Sequence, residues 1–582
     1  MVLRKKLTDQ QKQIVNRKGL FVVKARPGSG KTFAVAARFA QLLSSWEYPH
    51  RGIAVISFTN VAWQEIERYL TEDFGIKTPV SYPHFLGTID SFFNRYTFLP
   101  FGHLIMGCKT RPQLIGPPVN NWEPIGNGYW WGVGKCNRMC KLNHFSYDSD
   151  GNLISIAYPA VFHNCTLNPK PCSIKKREIN LAGYATQADS RYYSMRVLQE
   201  FPQIVKALIY RFPILMIDEA QDTSVVEMKT IDTLIEKGLD EVMLIGDVEQ
   251  AIFEWRNARP DLLETKYKQW KNNSLTLDEN WRSSQNICNF FNKISLFSEA
   301  PKSVDKNIKE YPFSPVIWEY KEGSYLKIIS DFLNLCKKHN IKGREKIAIL
   351  FRSKGLLKTF QSGTKASVYL SPWQNELTAS VCESKTLYDR GKFKDGLHCL
   401  EKGICKKINN LKFCSSADLE EISFEYGFTK WRRMLYEILA RLPKTDCALG
   451  EWIEQANTSL NNELLIKNGD LSIKQRGKYK KDYAAMSFKD LFPDDSESDN
   501  DCSLGTIHSV KGGTFDAVLV AFKKNAGDKR KYQNILNDDS LNSEELRIIY
   551  VAITRPRKIL VIAVPEGEGV IWQNKFCHED SG

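Results

Sequence analysis

The stretch Phe21-Val22-Val23-Lys24-Ala25-Arg26-Pro27-Gly28-Ser29-Gly30-Lys31-Thr32 sets the reading of this chain. An apolar run opens it, a loop with two glycines follows, and a helix-forming stretch from Phe33 to Leu42 closes it. That is the order strand, phosphate loop, helix of a nucleotide-binding α/β core. Glycines let backbone N–H groups approach a phosphate that a Cβ would hold off. The helix that follows offers its positive end to the same anion. Lys31 is placed to reach the β- and γ-phosphates, and the Thr32 hydroxyl to hold Mg²⁺. Gly28, Ser29, Gly30, Lys31 and Thr32 are therefore candidate nucleotide contacts. Ala25 stands where the G-x-x-x-x-G-K-[ST] pattern has its first glycine.

A chain of 582 residues exceeds one core and predicts about three to five domains. Its apolar content of 42% with 25% charged residues predicts a folded globular protein. The formal net charge of +14 favours a polyanionic partner, although a merely basic enzyme would also carry it. Fourteen cysteines over this length define no disulfide framework and fit a reducing compartment. No apolar run approaches the roughly 18 residues that span a bilayer. The basic start Met1-Val2-Leu3-Arg4-Lys5-Lys6 lacks an adjoining signal-type apolar core. The expectation is a cytoplasmic protein without a membrane partner.

Working outward from the loop, Thr8 is placed to cap a short helix, and Gln11 carries the donors and acceptor that can read an adenine edge. Gly52 to Asn60 reads as a buried strand with a polar tip, where Phe58 and Asn60 could meet a base or simply pack. Thr88 and Ser91 are either phosphate contacts or helix caps. Ile214-Leu215-Met216-Ile217-Asp218-Glu219 is a second strong motif: a buried strand with two carboxylates at its exit. Unpaired burial of both would be costly, so a metal or an aligned water explains them. Asp218 takes the Mg²⁺ role and Glu219 the role of polarising the attacking water. The strand Glu241 to Asp247 then leads to Gln250, a candidate γ-phosphate sensor, and to Trp255 and Arg256, candidates to stack and hold a nucleic-acid strand.

A second core begins near Leu277-Asp278-Glu279-Asn280-Trp281-Arg282. Trp281 can stack on a purine, and Arg282 can neutralise charge on the transferred phosphoryl group. Ile347 to Phe351 reads as a strand ending at Arg352. Thr506, His508, Ser509 and Lys511 form a polar loop suited to a phosphate backbone or a nucleotide. Glu544 to Arg555 reads as a helix, with Arg555 emerging near its end as a second arginine for the γ-phosphate.

Two segments interrupt these cores. The first is rich in Gly, Pro, Cys and aromatics, and holds Cys108, Cys136, Cys140, His144, His163, Cys165 and Cys172. Spacings of C-x3-C-x3-H and H-x-C-x6-C are loose for structural Zn²⁺, so scattered free thiols compete with a metal site. The alternative for Tyr129, Trp130, Trp131 and Lys135 is a nucleic-acid surface. The second segment has an amphipathic helix around Trp431 to Leu439, a basic run from Lys474 to Lys481, and an acidic linker from Asp494 to Asp499.

Taken in order, these motifs resemble the UvrD/Rep-like superfamily 1 DNA helicases. The resemblance implies an α/β protein of two RecA-like motor domains with parallel sheets, each interrupted by an accessory domain. The implied division is 1–99 and 186–275 for the first motor, 100–185 for its insertion, 276–370 and 501–570 for the second motor, 371–500 for its insertion, and 571–582 for a tail. It implies ATP and Mg²⁺ in the cleft, and 3′-to-5′ movement on single-stranded or tailed duplex DNA. By match to the family motifs, Gln11 and Trp281 face adenine, Gly28, Gly30, Lys31 and Thr32 hold phosphates, and Asp218 and Glu219 are the magnesium ligand and base. Gln250 is the sensor, Arg282 and Arg555 are the two arginine fingers, and Phe58, Asn60 and Trp255 contact the strand; His508 remains a nucleic-acid candidate from its polar loop. Two departures stand out: Asp90 where the family commonly has histidine, and Gly512-Gly513-Thr514-Phe515 in place of Gly-Leu-Glu-Phe. The compact layout is also similar to the helicase-like subunit of Gabija-type antiphage systems, which would imply antiviral defence and a nuclease or effector partner. A nucleic-acid-sensing NTPase subunit and a silent binding scaffold stay open as alternatives to a helicase.

Overall fold

The computed structural model describes residues 7–77, 80–115, 145–155, 162–166, 170–252, 259–321, 324–353, 356–357, 360, 376–409, 414, 419, 422–423, 425–461, 473, 487, 502–510, 512–523, 532–537 and 543–576. Short apolar runs bounded by turns become strands because no polar alternation interrupts them, which suits strands buried on both faces. Among the described residues ten strands precede residue 278. They are β1 (Leu20–Ala25), β2 (Ile53–Ser57), β3 (Phe85–Thr88), β4 (Gln113–Leu114), β5 (Phe145–Tyr147), β6 (Leu153–Ser155), β7 (Tyr184–Ala185), β8 (Ile214–Ile217), β9 (Glu241–Gly246) and β10 (Leu275–Leu277). Five follow: β11 (Val316–Tyr320), β12 (Ile347–Phe351), β13 (Ser503–Thr506), β14 (Phe515–Ala521) and β15 (Pro556–Pro565).

The first main sheet has the order β10-β1-β9-β8-β2-β3 and the second β11-β15-β14-β12-β13. Every neighbouring pair in both is parallel. Successive residues of a strand serve opposite faces. Thus Val22, Ala54, Ile56 and Leu244 enter one core of the first sheet, and Val23, Ile53, Val55 and Ile245 the other. The second sheet divides in the same way, with Leu350, Val518 and Ile562 on one face and Ile349, Leu519 and Val561 on the other.

Parallel strands place all their carboxyl ends on one edge, which is where ligands bind in such sheets. The phosphate loop leaves β1 there, Phe58 leaves β2, the helix Ile89–Phe93 leaves β3, Asp218 leaves β8, Asp247 leaves β9 and Asp278 leaves β10. The β10 strand pairs with β1 through Val23↔Leu275 to Ala25↔Leu277, so the first sheet extends to Leu277. At the other end of the chain, helix Gly569–Phe576 buries Trp572 and stacks Phe576 on Phe290 with ring centroids 4.3 Å apart.

The first interruption shares a core with the chain that flanks it, and the second has a core of its own. Between β3 and β8 lie the parallel pair β4–β7, the antiparallel hairpin β5–β6 and helix Pro171–Leu181, gathered around Phe98, Tyr147, Tyr192 and Met195. Between β12 and β13 lie helices Glu376–Asp389, Phe393–Ile408, Phe428–Arg441 and Leu449–Asn461. The apolar spacing of Trp431, Met434, Leu435, Ile438 and Leu439 gives one buried helix face. The Trp431 indole donates to Glu401 Oε1 at 3.0 Å, and both residues are buried. Trp431→Ala removes a buried ring and one hydrogen bond to a buried carboxylate, so we expect a loss of about 3–5 kcal/mol in the transition that contains this bundle, read by denaturant unfolding followed by circular dichroism.

Candidate functional site

Two glycines shape the phosphate loop. Gly28 and Gly30 hold φ of +73° and +78°, a region that costs other residues energy. Gly30 caps helix Lys31–Ser44, whose first turn faces the loop. Lys31 is buried, and its ammonium has no hydrogen-bond partner; Glu219 Oε2 lies 3.5 Å away. Burial alone would lower the Lys31 pKa, but Glu219, Asp247 and Asp218 reverse that and raise it. The buried Ser29 hydroxyl also lacks a partner. A buried ammonium, a buried hydroxyl and a helix N-terminus around one concave turn are the donor set that a triphosphate needs. Across the loop, a Cβ on Gly30 would stand 3.1 Å from Gln11 Nε2. Gln11 Oε1 meanwhile accepts from Thr8 N at 3.2 Å in a capping box, so the side chain closes a helix and still points its amide at the loop.

The carboxylates come from the neighbouring strand ends. Asp218 is fully buried, and its Oδ2 accepts from Thr32 Oγ1 at 3.1 Å. Burial, then the adjoining Glu219, push the Asp218 carboxyl up to about 7. Two adjacent oxygens with a carboxylate short of compensation fit Mg²⁺, which would stabilise the ionised form. Glu219 has φ +55°, a conformation that costs a non-glycine residue about 1–3 kcal/mol. Gln221 Nε2 holds its Oε2 at 2.5 Å, while Gln221 Oε1 accepts from Asp247 N at 3.1 Å. Asp247, likewise pushed up to about 7 by burial, accepts from Gln250 Nε2 at 2.7 Å. The sensor candidate is thereby tied to the same polar cluster as the carboxylates.

The second core closes the site from the other side. Asn280 Nδ2 donates to Pro27 O at 2.8 Å, and its Oδ1 accepts from Arg282 N and Ser283 N at 2.8 and 2.7 Å. Trp281 N donates to Gly28 O at 2.8 Å, leaving its ring 41% exposed and free to take a base. The half-buried Arg282 donates to Thr554 O at 3.1 Å. Arg555 is buried and bonds Gln250 Oε1 at 3.1 Å. Burial first, then the nearby Arg282, lower Arg555 to about 9 against the pull of Glu219 and Asp247. Lys31, Asp218, Glu219, Gln250, Arg282 and Arg555 thus gather around one seam, with Gln11 and Trp281 beside it.

The polymer candidates are more scattered. Phe58 packs half-buried against the first core, and exposed Asn60 accepts from Trp63 Nε1 at 3.1 Å. Both sit at the carboxyl tip of β2. His508 lies half-buried on the 3-10 turn Ile507–Val510 after β13. Thr88 caps its helix by accepting from Ser91 N at 3.2 Å, and Arg352 forms a two-pronged pair with Glu545. Thr514 is exposed. Trp255, Arg256, Lys511, Tyr129, Trp130, Trp131, Lys135 and the runs 474–481 and 494–499 lie outside the described residues.

The zinc expectation finds no support in this geometry. Among the described residues no group of three or more His, Cys, Asp or Glu is placed to hold a metal. Cys108 Sγ donates to Thr110 O at 3.2 Å, and burial pushes its thiol up, away from the thiolate a metal requires. Cys136, Cys140 and His144 lie outside the described residues.

Comparison with known proteins gives the chain a family. The UvrD/REP helicase N-terminal domain matches residues 7–102 and 173–271, and the UvrD-like helicase C-terminal domain matches 474–567. The chain belongs to the UvrD/Rep helicase family. Its two parallel sheets are the family's RecA-like motor cores, and its enzyme class is that of the ATP-dependent DNA helicases. A probable DNA helicase II homolog of Mycoplasma genitalium is 23% identical over 96% of this chain and 84% of its own length. The corresponding protein of Mycoplasma pneumoniae is 22% identical over 98% and 85%. RecB, the RecBCD enzyme subunit of Buchnera aphidicola, is 34% identical over 25% of this chain and 11% of its own length.

This UvrD/Rep-family chain also uses residues that its motifs did not single out. Asn280 is the crossing point between the cores, and Arg26 reaches over to Asn292 Oδ1 at 2.6 Å and lies 4.4 Å from the Phe297 ring centroid. Buried Glu249 accepts from Ser295 Oγ at 2.8 Å and Leu296 N at 2.5 Å. No local spacing announces these contacts; only the fold brings positions some 250 residues apart together, as Asn280 and Pro27 show. Arg555→Met should lower kcat for ATP by about 10³-fold without lowering the melting temperature, because it removes a buried charge facing a like charge; steady-state kinetics and thermal denaturation check the two halves.

Proposed function

We propose that this chain is a translocase that moves 3′ to 5′ along single-stranded DNA and separates a tailed duplex. The convergence of Lys31, Asp218 and Glu219 from the first core with Arg282 and Arg555 from the second carries this reading. In it, Lys31 and the amides of Gly28 to Lys31 bind the phosphates, and Gln11 and Trp281 position the base. Mg²⁺, held by Thr32 and Asp218, would supply charge neutralisation between the phosphates. Glu219, fixed by Gln221, orients the attacking water. Arg282 and Arg555 stabilise the charge that develops, and Arg555 passes the state of the site to Gln250 through their shared hydrogen bond. Phe58, Asn60, Trp255 and His508 take the strand. Residues 1–99 and 186–275, with β10 completing the sheet, act as one motor, and 276–370 with 501–570 as the other. The segments 100–185 and 371–500 serve as accessory units and 571–582 as the tail. A cytoplasmic location goes with this reading, since its DNA and ATP are there.

A second reading is a nucleic-acid-sensing NTPase subunit of a defence or repair complex, with a nuclease or effector as partner and little unwinding of its own. The exposed Thr514, where the family commonly has glutamate, favours it, as does the relative whose name marks it as a subunit of RecBCD. A silent scaffold has less support, since it needs none of the catalytic set.

Lys31→Ala and Glu219→Gln should each reduce ATP turnover by at least about 10²-fold, with nucleotide binding kept in the second and weakened in the first. A wild-type ATPase rate that single-stranded DNA leaves unchanged would count against a translocase. Displacement of a 3′-tailed but not a 5′-tailed duplex supports the proposed direction. DNA-stimulated turnover without displacement selects the second reading.

A further inference from the structure

The position where the family commonly carries histidine holds Asp90, and the structure gives this aspartate a partner. Arg191, on helix Gln187–Glu200, donates from Nε to Asp90 Oδ1 at 2.7 Å and from Nη2 to Asp90 Oδ2 at 2.8 Å. This two-pronged geometry belongs to arginine and cannot be copied by a lysine point charge. The same Nε lies 3.4 Å from Glu227 Oε1. The Arg191 and Asp90 side chains are 27% and 28% exposed, but that of Glu227 is only 5% exposed, so Arg191 is the charge that compensates a buried carboxylate.

Each end of this bridge leads somewhere definite. Asp90 stands two residues beyond Thr88, the last residue of β3, and Thr88 is in register with Ser57 of β2. Phe58 and Asn60 follow Ser57, so Asp90 shares the sheet edge assigned to the nucleic-acid strand. Glu227 accepts from Ser224 N and Ser224 Oγ at 2.8 and 2.7 Å. Ser224 caps helix Val225–Glu236 and lies five residues after Glu219 on the segment leaving the catalytic carboxylates. Thr223 within it donates to Ala220 O at 2.6 Å. The helix that carries Arg191 also enters the core of the first insertion through Tyr192, Tyr193 and Met195. A second bond, Asn94 Nδ2 to Gln187 Oε1 at 3.0 Å, keeps it against the β3 exit.

We infer that Arg191 is a positioning residue that transmits strand engagement at the β2–β3 tips to the segment bearing Asp218 and Glu219. This rests on the reading of the chain as a DNA-stimulated ATPase. A shift of the β3 exit moves Asp90, the rigid fork carries the shift to Arg191, and Glu227 passes it to Ser224. Arg191 lies outside the set of residues read as meeting nucleotide or strand, so the inference gives it no part in the basal chemistry.

The test measures ATP turnover of the full chain with and without a poly-deoxythymidine oligonucleotide, for wild type, Arg191→Met, Arg191→Lys, Asp90→Asn and the double variant Asp90→Asn/Arg191→Met. Basal turnover should stay within about twofold, while DNA-stimulated kcat falls about tenfold in Arg191→Met, inside the range that coupling residues produce. The oligonucleotide concentration for half-maximal stimulation should stay within about twofold. Arg191→Lys should recover only part of the stimulation, and the double variant should be no worse than Arg191→Met. Should Arg191→Met not fold, Asp90→Asn alone must show the same selective loss. Full stimulation in Arg191→Met, equal loss of basal and stimulated rates, or additive losses in the double variant would each overturn the inference. A wild-type rate indifferent to DNA would instead remove the reading on which it rests.

Discussion

Two arginines in close electrostatic range, Arg282 and Arg555, set the terms for this molecule. Burial lowers the pKa of both, and Arg282 lowers that of Arg555 further. Such a pair persists only where opposite charges stand close, and here they come from the facing core: Glu65 and then Glu219 for Arg282, and Glu219 and Asp247 for Arg555. The balance is incomplete on both sides, since burial holds Asp218 and Asp247 above the ordinary carboxylate range. A seam with excess charge of both signs is poorly satisfied by itself and well satisfied by a polyanion accompanied by a divalent cation. A nucleotide bound here would therefore serve the interface as a counter-ion as well as the enzyme as its substrate.

That arrangement explains why the two cores meet where they do. Backbone groups, not side-chain charges, secure the crossing: Pro27 O, Gly28 O, Pro556 O and Arg557 O each accept from the segment Asn280 to Ser284. Burying backbone polar groups at a domain boundary requires partners for all of them, and these bonds supply partners for four. A side chain on Gly28 would run into Asn280 at 2.8 Å and the Arg282 Cβ at 2.9 Å. The glycine thus serves the nucleotide on one side and the neighbouring core on the other.

Much of this was legible in the sequence because the informative segments are short and local. A buried parallel strand is a run of apolar residues, and a chemical group at its carboxyl end follows immediately, as in Ile217-Asp218-Glu219 and Gly246-Asp247. Order along the chain then placed Arg282 and Arg555 opposite Lys31. What local pattern does not carry is pairing. Asp90 read as a departure from the family until Arg191, on a helix beyond the first insertion, appeared beside it. Arg352 read only as the end of a strand, and Glu545 from the far side of the second insertion engages it. Gln11 was legible as a side chain near the nucleotide, but its simultaneous duty as a helix cap depends on Thr8 geometry. The cysteine spacings, loose for zinc, left a metal site and scattered free thiols both open, and among the described residues no cluster is placed to hold a metal.

The bonds between Asn280 to Ser284 and the phosphate loop also determine how the two halves can swing. Tying Trp281 N to Gly28 O and Ser284 N to Arg557 O makes this crossing a fulcrum set beside the nucleotide. Parts near a fulcrum travel little and parts far from it travel far. A rotation about that point would therefore move distant parts of the two cores further than the nucleotide site itself.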